Sequence, residues 1–319
     1  MEKQSLKAIS FFTGFRGMDV GARRAGFQMV FGSDMEPATG IAFNNNLKEN
    51  NPTLPEFMQS EGVFVSGDDG DITKLSDKRI FEMIEEQMKI SVKEGDPDLM
   101  FGGPPCPGIS RANPKRNAFK ELNLLMFAML EKVRKIKPKV VVIEQVPSIL
   151  DSSMLPIWNK VKMRLDELTD YVWSFKVMNA ADYGARQDRK RIIIMLVRKD
   201  LNVPPSFPIP TPPDMEKVSL HKLLPHVTHF SAGQFDSKII SAKNKVFCTM
   251  TATGSELFYE IDGVERKPTI SERLVLTEFE GMNFKGISKT AQKRGLGNMV
   301  QPSLMYAICK HIREHILKV

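Results

Sequence analysis

Three stretches of the sequence pair a reactive group with a backbone setting that would display it. Asp98–Ser110 reads DLMFGGPPCPGIS, an apolar strand ending in two glycines and two prolines before Cys106. A thiol on a rigid turn at the carboxyl end of a parallel strand stands where open α/β sheets bind ligands. A helix N-terminus or nearby arginines would lower its pKa toward the nucleophilic thiolate. Val140–Pro147 reads VVVIEQVP, so an apolar strand delivers Glu144 at its carboxyl end, beside Cys106 if the two strands are neighbours. Burial there would raise the carboxyl pKa toward acid chemistry. Ala185–Arg191 reads ARQDRKR and leads into another apolar strand. Arg189 and Arg191 alternate along it and share a face, and guanidinium groups there suit an anion or a carbonyl. Cys248 and Cys309 have no such setting and read as buried small hydrophobes.

A fourth stretch, SFFTGFRGMDVGARRAGF from Ser10, carries Gly14, Gly17 and Gly21 at a strand-to-helix turn. A dinucleotide fingerprint needs a glycine where Arg16 stands, so a pyrophosphate is not what this turn receives. Asp34 nevertheless follows the second strand, at the place where such folds grip a ribose hydroxyl. Together these point to a nucleoside-bearing cofactor without a pyrophosphate. S-adenosylmethionine fits, with its adenosine and a carboxylate suited to a helix N-terminus.

The elements that must position these groups follow from the hydrophobic pattern. Apolar runs predict strands at Leu6–Phe12, Gln28–Gly32, Asp98–Phe101, Val140–Glu144, Val172–Met178 and Ile192–Val197, alternating with amphipathic stretches. That is the signature of a parallel sheet covered by helices. Leu122, Met126, Met129, Leu130 and Val133 recur at helical spacing and should face the sheet. Val203–Pro213 holds six prolines in eleven residues, which marks a stiff connector out of the sheet domain. The region to about residue 270 is weakly periodic, after which Leu304, Ile308, Ile312 and Ile316 line one face of a closing helix. The fold expected is α/β, with catalytic residues 1–202 and 271–319 and a small irregular insertion at 203–270 before the C-terminal helix.

Composition narrows the function classes. A chain of 319 residues has room for about two domains. Hydrophobic residues at 42% and charged residues at 26% exclude a disordered chain. Three cysteines cannot form a disulfide framework and point to a reducing, cytoplasmic setting. No apolar run approaches the roughly 18 residues of a membrane span, and the N-terminal residues lack a signal-peptide core. The 45 Lys and Arg against 38 Asp and Glu leave a net charge of +7, which permits a polyanionic partner. His221, His226 and His229 match no metal template, and no metal is expected.

These residues, in this order, resemble the DNA (cytosine-5) methyltransferases over nearly the whole chain. FFTGFRGMDVG is similar to the family's first cofactor motif, DMEP to its second, and Gly70-Asp71-Ile72 to its third. GGPPC is similar to the nucleophile motif, IEQV to its Glu-Asn-Val, and RQDRKR to its Gln-x-Arg-x-Arg at Gln187, Arg189 and Arg191. Thr269 and Glu272 open a stretch like the ninth motif, and GLGNMVQPSL resembles the last. Four positions depart: Ser10 for an acidic residue, Arg16 for glycine, Pro107 for glutamine and Gln145 for asparagine.

The resemblance implies a Rossmann-like methyltransferase domain that methylates C5 of a flipped-out cytosine in duplex DNA through a covalent Cys106–C6 adduct. Glu144 would act at N3, Arg191 at O2, and Arg189 on a phosphate or the catalytic loop. Phe12, Gly14, Asp34, Met35, Asp71, Ile72, Leu124 and Asn298 would hold S-adenosylmethionine. Ser110, Arg111, Lys115, Arg116 and Gln187 would meet DNA, with the loop 107–121 closing over the base. Residues 203–270 would recognise the target. The expected protein is a monomer of a bacterial host's cytoplasm, nucleoid-associated when bound to DNA, with any cognate restriction endonuclease a genetic rather than physical partner. A tRNA methyltransferase lacks support here, because the Cys-Phe-Thr signature of that branch is missing; a catalytically weak DNA-binding relative is the other alternative.

Overall fold

The computed structural model describes residues 5–105, 125–210, 217–232 and 238–319. Cys106, Ser110, Arg111, Lys115, Arg116, Leu122 and Leu124, with the rest of the 107–121 loop, lie outside the described residues.

The first two-thirds of the chain forms β1 (Leu6–Phe11), α1 (Gly17–Arg24), β2 (Phe27–Asp34), α2 (Pro37–Asn45), β3 (Val63–Ser66), α3 (Asp77–Met88) and β4 (Leu99–Gly102). α4 (Leu125–Ile136), β5 (Val140–Gln145), α5 (Leu155–Asp166), β6 (Tyr171–Asn179), β7 (Gln187–Asp188) and β8 (Lys190–Arg198) follow. Seven of these strands make one sheet in the order β3-β2-β1-β4-β5-β8-β6. All six expected strands are present, and β3 is an addition. It is a four-residue edge strand with only Val63 fully buried, too short and too exposed to stand out in the pattern.

The sheet is parallel except at β8, which runs antiparallel to both β5 and β6. The run Ile192–Val197 is wholly buried, and continuous burial of this kind imitates a parallel strand. The connection from β6 settles the direction. Only ten residues separate Asn179 from Lys190, a link too short for the helical crossover that a parallel return demands.

Helices cover both faces. On one, Met126, Met129, Leu130 and Val133 of α4 pack with Ile9, Phe31, Met100 and Val141, as their spacing requires. On the other, Leu304, Ile308, Ile312 and Ile316 seal the sheet against Ala8, Phe27, Phe101 and Val142.

Residues 202–210 run without regular structure, as the prolines dictate. The stretch beyond is more ordered than its weak periodicity suggests. After α6 (Leu220–Leu223) come β9 (Val227–Ser231), β10 (Ile240–Ser241), β11 (Phe247–Cys248), β12 (Leu257–Glu260) and β13 (Glu265–Arg266). β10-β9-β12-β13 form an antiparallel sheet, while β11 pairs in parallel with β7. Strands of two to five residues are too short to display alternation. Three helices then complete the chain, α7 (Ile270–Leu276), α8 (Lys289–Asn298) and α9 (Pro302–His311), the last running into a wider turn at Ile312–Leu317. Phe230, Phe247, Phe258, Leu276, Phe279 and Leu296 share a third core with Phe15, Val20, Leu54 and Met58. Among the described residues no helix is long and apolar enough to cross a membrane.

Candidate active site

β4 and β5 lie side by side with Gly102 opposite Ile143, so their carboxyl ends emerge together. Two glycines make the fit at the tip of β4. A Cβ on Gly102 would lie 2.4 Å from the Phe11 carbonyl oxygen, and one on Gly103 would lie 2.9 Å from Glu144 Oε2. Gly103 therefore packs directly on the Glu144 carboxyl group. Beyond it, Gln145 Nε2 donates to the Pro104 carbonyl at 2.8 Å, so the residue after the acid grips the turn that leads to Cys106.

Glu144 is 9% exposed and pairs with Arg191, whose Nε lies 2.5 Å from Oε1. Arg191 enters from β8, where Glu144 faces Ile193 across the ladder. A carboxyl group this buried needs a polar partner. The arginine also sets the acid's orientation and leaves the second oxygen directed at Gly103.

The other two residues of the Gln-x-Arg-x-Arg pattern, Gln187 and Arg189, are turned inward among the described residues, whereas the catalytic loop named as the alternative partner of Arg189 lies outside them. Arg189 is 2% exposed and donates from Nη1 to the Met250 carbonyl and from Nη2 to the Gly297 carbonyl, both at 2.9 Å. Gln187 is fully buried, donating to the Leu276 carbonyl at 2.9 Å and accepting from Met250 N–H at 3.0 Å. Neither is placed to meet a phosphate. Both bind the 187–189 stretch to the 247–251 segment and to α7 and α8, as the buried backbone carbonyls of those segments require. Cys248 is half-buried on β11 beside Asp188, more open than a core thiol, whereas Cys309 is fully buried and burial pushes its thiol pKa up.

The candidate cofactor residues gather at the carboxyl ends of β1, β2 and β3. Phe12 and Gly14 both have left-handed backbones, at φ 54° and 55°, and a Cβ on Gly14 would meet nothing within 4 Å. The turn therefore leaves open space at its crest. Asp34 Oδ2 accepts from Gly14 N–H at 2.7 Å, and Oδ1 accepts from Glu36 N–H at 2.8 Å. Burial raises the Asp34 pKa, offset in part by the Glu36 and Gly14 amides. Met35 is 56% exposed, a large apolar side chain left open beside this carboxylate. Asp71 accepts from the Thr73 amide and hydroxyl at 2.9 and 2.8 Å. Burial pushes its pKa up, but these bonds and Lys74 hold it below the usual carboxylate range. Ile72, by contrast, is 3% exposed and packs into the core with Phe31 and Val63, so it backs the cleft instead of lining it.

Asn298 is exposed at the end of α8. Its neighbours press on the first turn of α1, where a Cβ on Gly17 would lie 2.1 Å from the Val300 carbonyl oxygen and one on Gly21 2.6 Å from that of Pro302. Two glycines four apart on one helix face were the signal for this close approach. The first and last motifs thus meet at one edge of the cleft. Thr269 and Glu272 form a reciprocal cap on α7, and Glu272 is held by Arg266 and His226, a structural role for that motif. Among the described residues no cluster of His, Cys, Asp and Glu has the makings of a metal site.

A Rossmann-like sheet brings Glu144 and a proline-fixed turn to adjoining strand tips, with the Asp34 carboxylate and the open Gly14 turn beside them, the strand-end site of an open α/β fold. Residues 6–255 match the model of the C-5 cytosine-specific DNA methylase family, and the chain belongs to that family. It is 30% identical over 224 residues to the Type II methyltransferase M.AquIA of Picosynechococcus, covering 66% of this chain and 77% of that one. It is 29% identical over 208 residues to M.MthTI of Methanothermobacter thermautotrophicus, covering 65% of this chain and 53% of the relative. The structure of a putative DNA modification methyltransferase encoded within an Escherichia coli prophage superposes with TM-score 0.69, covering 99% of this chain and 100% of that one at 21% identity, a likeness of fold.

Proposed function

We propose that the chain transfers a methyl group from S-adenosylmethionine to C5 of a cytosine flipped out of duplex DNA, with Cys106 as nucleophile. One observation carries this reading: Glu144 lies against Gly103 and is paired with Arg191, while Gln145 holds Pro104, two residues before Cys106. An extruded pyrimidine set between the turn and the acid would offer C6 to the thiolate and N3 to the carboxyl group.

In the covalent route, the Cys106 sulfur bonds to C6 while N3 is relieved of charge through Glu144, which makes C5 nucleophilic. After C5 carries the methyl group, solvent water would take the C5 proton, its electron pair would restore the C5–C6 double bond, the C6–S bond would break to release the Cys106 thiolate, and the N3 proton would return to Glu144. Arg191 holds Glu144 in place and supports the O2 edge. Stacked and paired bases present neither C6 nor N3 in this way, so the base must leave the duplex.

The cleft suits the donor. Asp34, oriented by the Gly14 and Glu36 amides, would accept from ribose hydroxyls, and exposed Met35 would offer an apolar face to adenine. Asp71 provides an acceptor for an exocyclic amine, Phe12 and Gly14 border the methionine end, and Asn298 closes the edge. When bound, S-adenosylmethionine supplies an electrophilic methyl group on a sulfonium. We assign target recognition to residues 203–270, which contain the small antiparallel sheet, and DNA contacts to Ser110, Arg111, Lys115 and Arg116.

The test is incubation with methyl-labelled S-adenosylmethionine and either duplex DNA or tRNA. Label in duplex cytosine supports the reading. Label in tRNA alone overturns the substrate, and label in neither favours a binding protein that has kept the fold.

A further inference from the structure

The Phe12–Gly17 turn contains one residue that its neighbours do not explain. Arg16 has a left-handed backbone, φ 71° and ψ 24°, at the N-cap of α1, where a glycine would sit without strain. Its side chain is 1% exposed. A buried arginine in a strained backbone costs stability twice over, so the contacts it makes must carry weight.

Those contacts tie four pieces of the cleft together. Nη1 donates to Ser60 Oγ at 2.7 Å and Nη2 to the Gln59 carbonyl at 2.9 Å, fixing the strap that leads into β3. Nε lies 3.8 Å from Asp19 Oδ2 on α1. The guanidinium also lies 5.4 Å from the ring centroid of Phe43, which stacks on Phe64 at 4.6 Å. Phe43 belongs to α2, the helix that begins just after Asp34 and Met35. The Arg16 backbone meanwhile closes the turn itself, its N–H donating to the Thr13 carbonyl at 2.9 Å. One guanidinium therefore holds the turn carrying Gly14, the helix behind Asp34 and Met35, and the strap before β3 at fixed separations.

We propose that Arg16 is a positioning residue for the methyl donor: without touching the donor, it braces the Gly14 turn against α2 and the strap before β3, and so holds the Gly14–Asp34 hydrogen bond and the adjoining Met35 in register. Its charged partner is Asp19, three residues on in α1 and likewise buried. The inference rests on the cofactor reading above.

Arg16→Gly is the direct test, because glycine accepts this backbone and the chain should fold. The expected result is that Kd and KM for S-adenosylmethionine rise about tenfold or more, with kcat at saturating donor within about twofold of wild type. Arg16→Gly also leaves Asp19 buried without its partner, so the double variant R16G/D19N separates positioning from stability. Its Tm should return toward wild type while the donor KM stays high. A KM that recovers along with Tm, or a glycine variant that binds the donor as wild type does, overturns the inference alone. A wild-type protein that binds no S-adenosylmethionine in calorimetry overturns the cofactor reading and this inference together.

Discussion

Gln145 donates its side-chain amide to the Pro104 carbonyl, so the strand that carries the acid also fastens the turn that presents the thiol. The bond is buried and spans the two strands whose tips form the site. Its loss would leave a backbone acceptor unpaired and the turn free to shift. Nucleophile placement within a fraction of an ångström governs covalent catalysis. Gln145→Ala should lower kcat about 10- to 100-fold with little change in donor Kd. Single-turnover methyl transfer measures it, and an unchanged single-turnover rate would dissociate the tether from the chemistry.

Removing the sulfur should be decisive in a different way. Cys106→Ala is expected to abolish methyl transfer while duplex binding survives, checked by transfer of labelled methyl and by gel shift. Glu144→Gln keeps the shape but not the acid, and should cost about 10²- to 10⁴-fold in kcat. Arg191→Lys should also be impaired, because an ammonium cannot reproduce the planar fork beside the carboxylate. Full activity in any of the three would remove that residue from the proposed mechanism.

The placing of Glu144 and of the Gly102–Pro105 turn at adjoining strand tips was legible because a strand end leaves local marks. GGPP and VVVIEQVP each announce an apolar strand that stops at a candidate residue or its turn, and ordinary periodicity then placed α4 and the closing helix. What the pattern concealed was contact between distant segments. Nothing local to RQDRKR distinguishes Arg191, which reaches Glu144, from Arg189, which reaches Met250 and Gly297. The sequence has both alternating along one expected strand, but Arg189 falls in the single-residue gap between β7 and β8, where it turns to the 247–251 segment and α8. The direction of β8 was hidden for a related reason, since burial on both faces reads alike in either orientation. Ile72 looked like a cleft residue from its motif, but a branched apolar side chain between strand and helix goes to the core.

Arg189 therefore changes its expected phenotype. A phosphate contact would flatten the salt dependence of DNA binding by about one counterion when removed. A buried bridge between two carbonyls instead predicts lost stability. Arg189→Ala should lower unfolding free energy by about 2–4 kcal/mol, seen as a reduced denaturant midpoint. The slope of log Kd against log salt should stay as in wild type. A shallower slope with unchanged stability would restore the phosphate role.

Two glutamates, Glu272 in the first turn of α7 and Glu278 just beyond its end, give opposite pH dependences. Burial raises Glu278 to about 7 despite its bonds to Ser303 and the nearby Arg186 and Arg24. A carboxyl whose pKa is higher folded than unfolded takes up a proton on folding. Its contribution to stability is greatest below the unfolded value near 4.5 and is lost as pH rises through about 7. Glu272 is the reverse: burial pushes it up, but Arg266, Thr269 and His226 prevail and bring it to about 2. Its contribution is present above 4.5 and disappears as pH falls toward 2. Glu278→Gln should accordingly raise Tm at pH 8, by up to about 3 kcal/mol of linked stability, with the gain vanishing below pH 5. Glu272→Gln should lower Tm at pH 7 and converge on wild type in acid. Calorimetric Tm profiles of the two variants between pH 2 and pH 9 check both signs, and parallel shifts at every pH would refute the linkage.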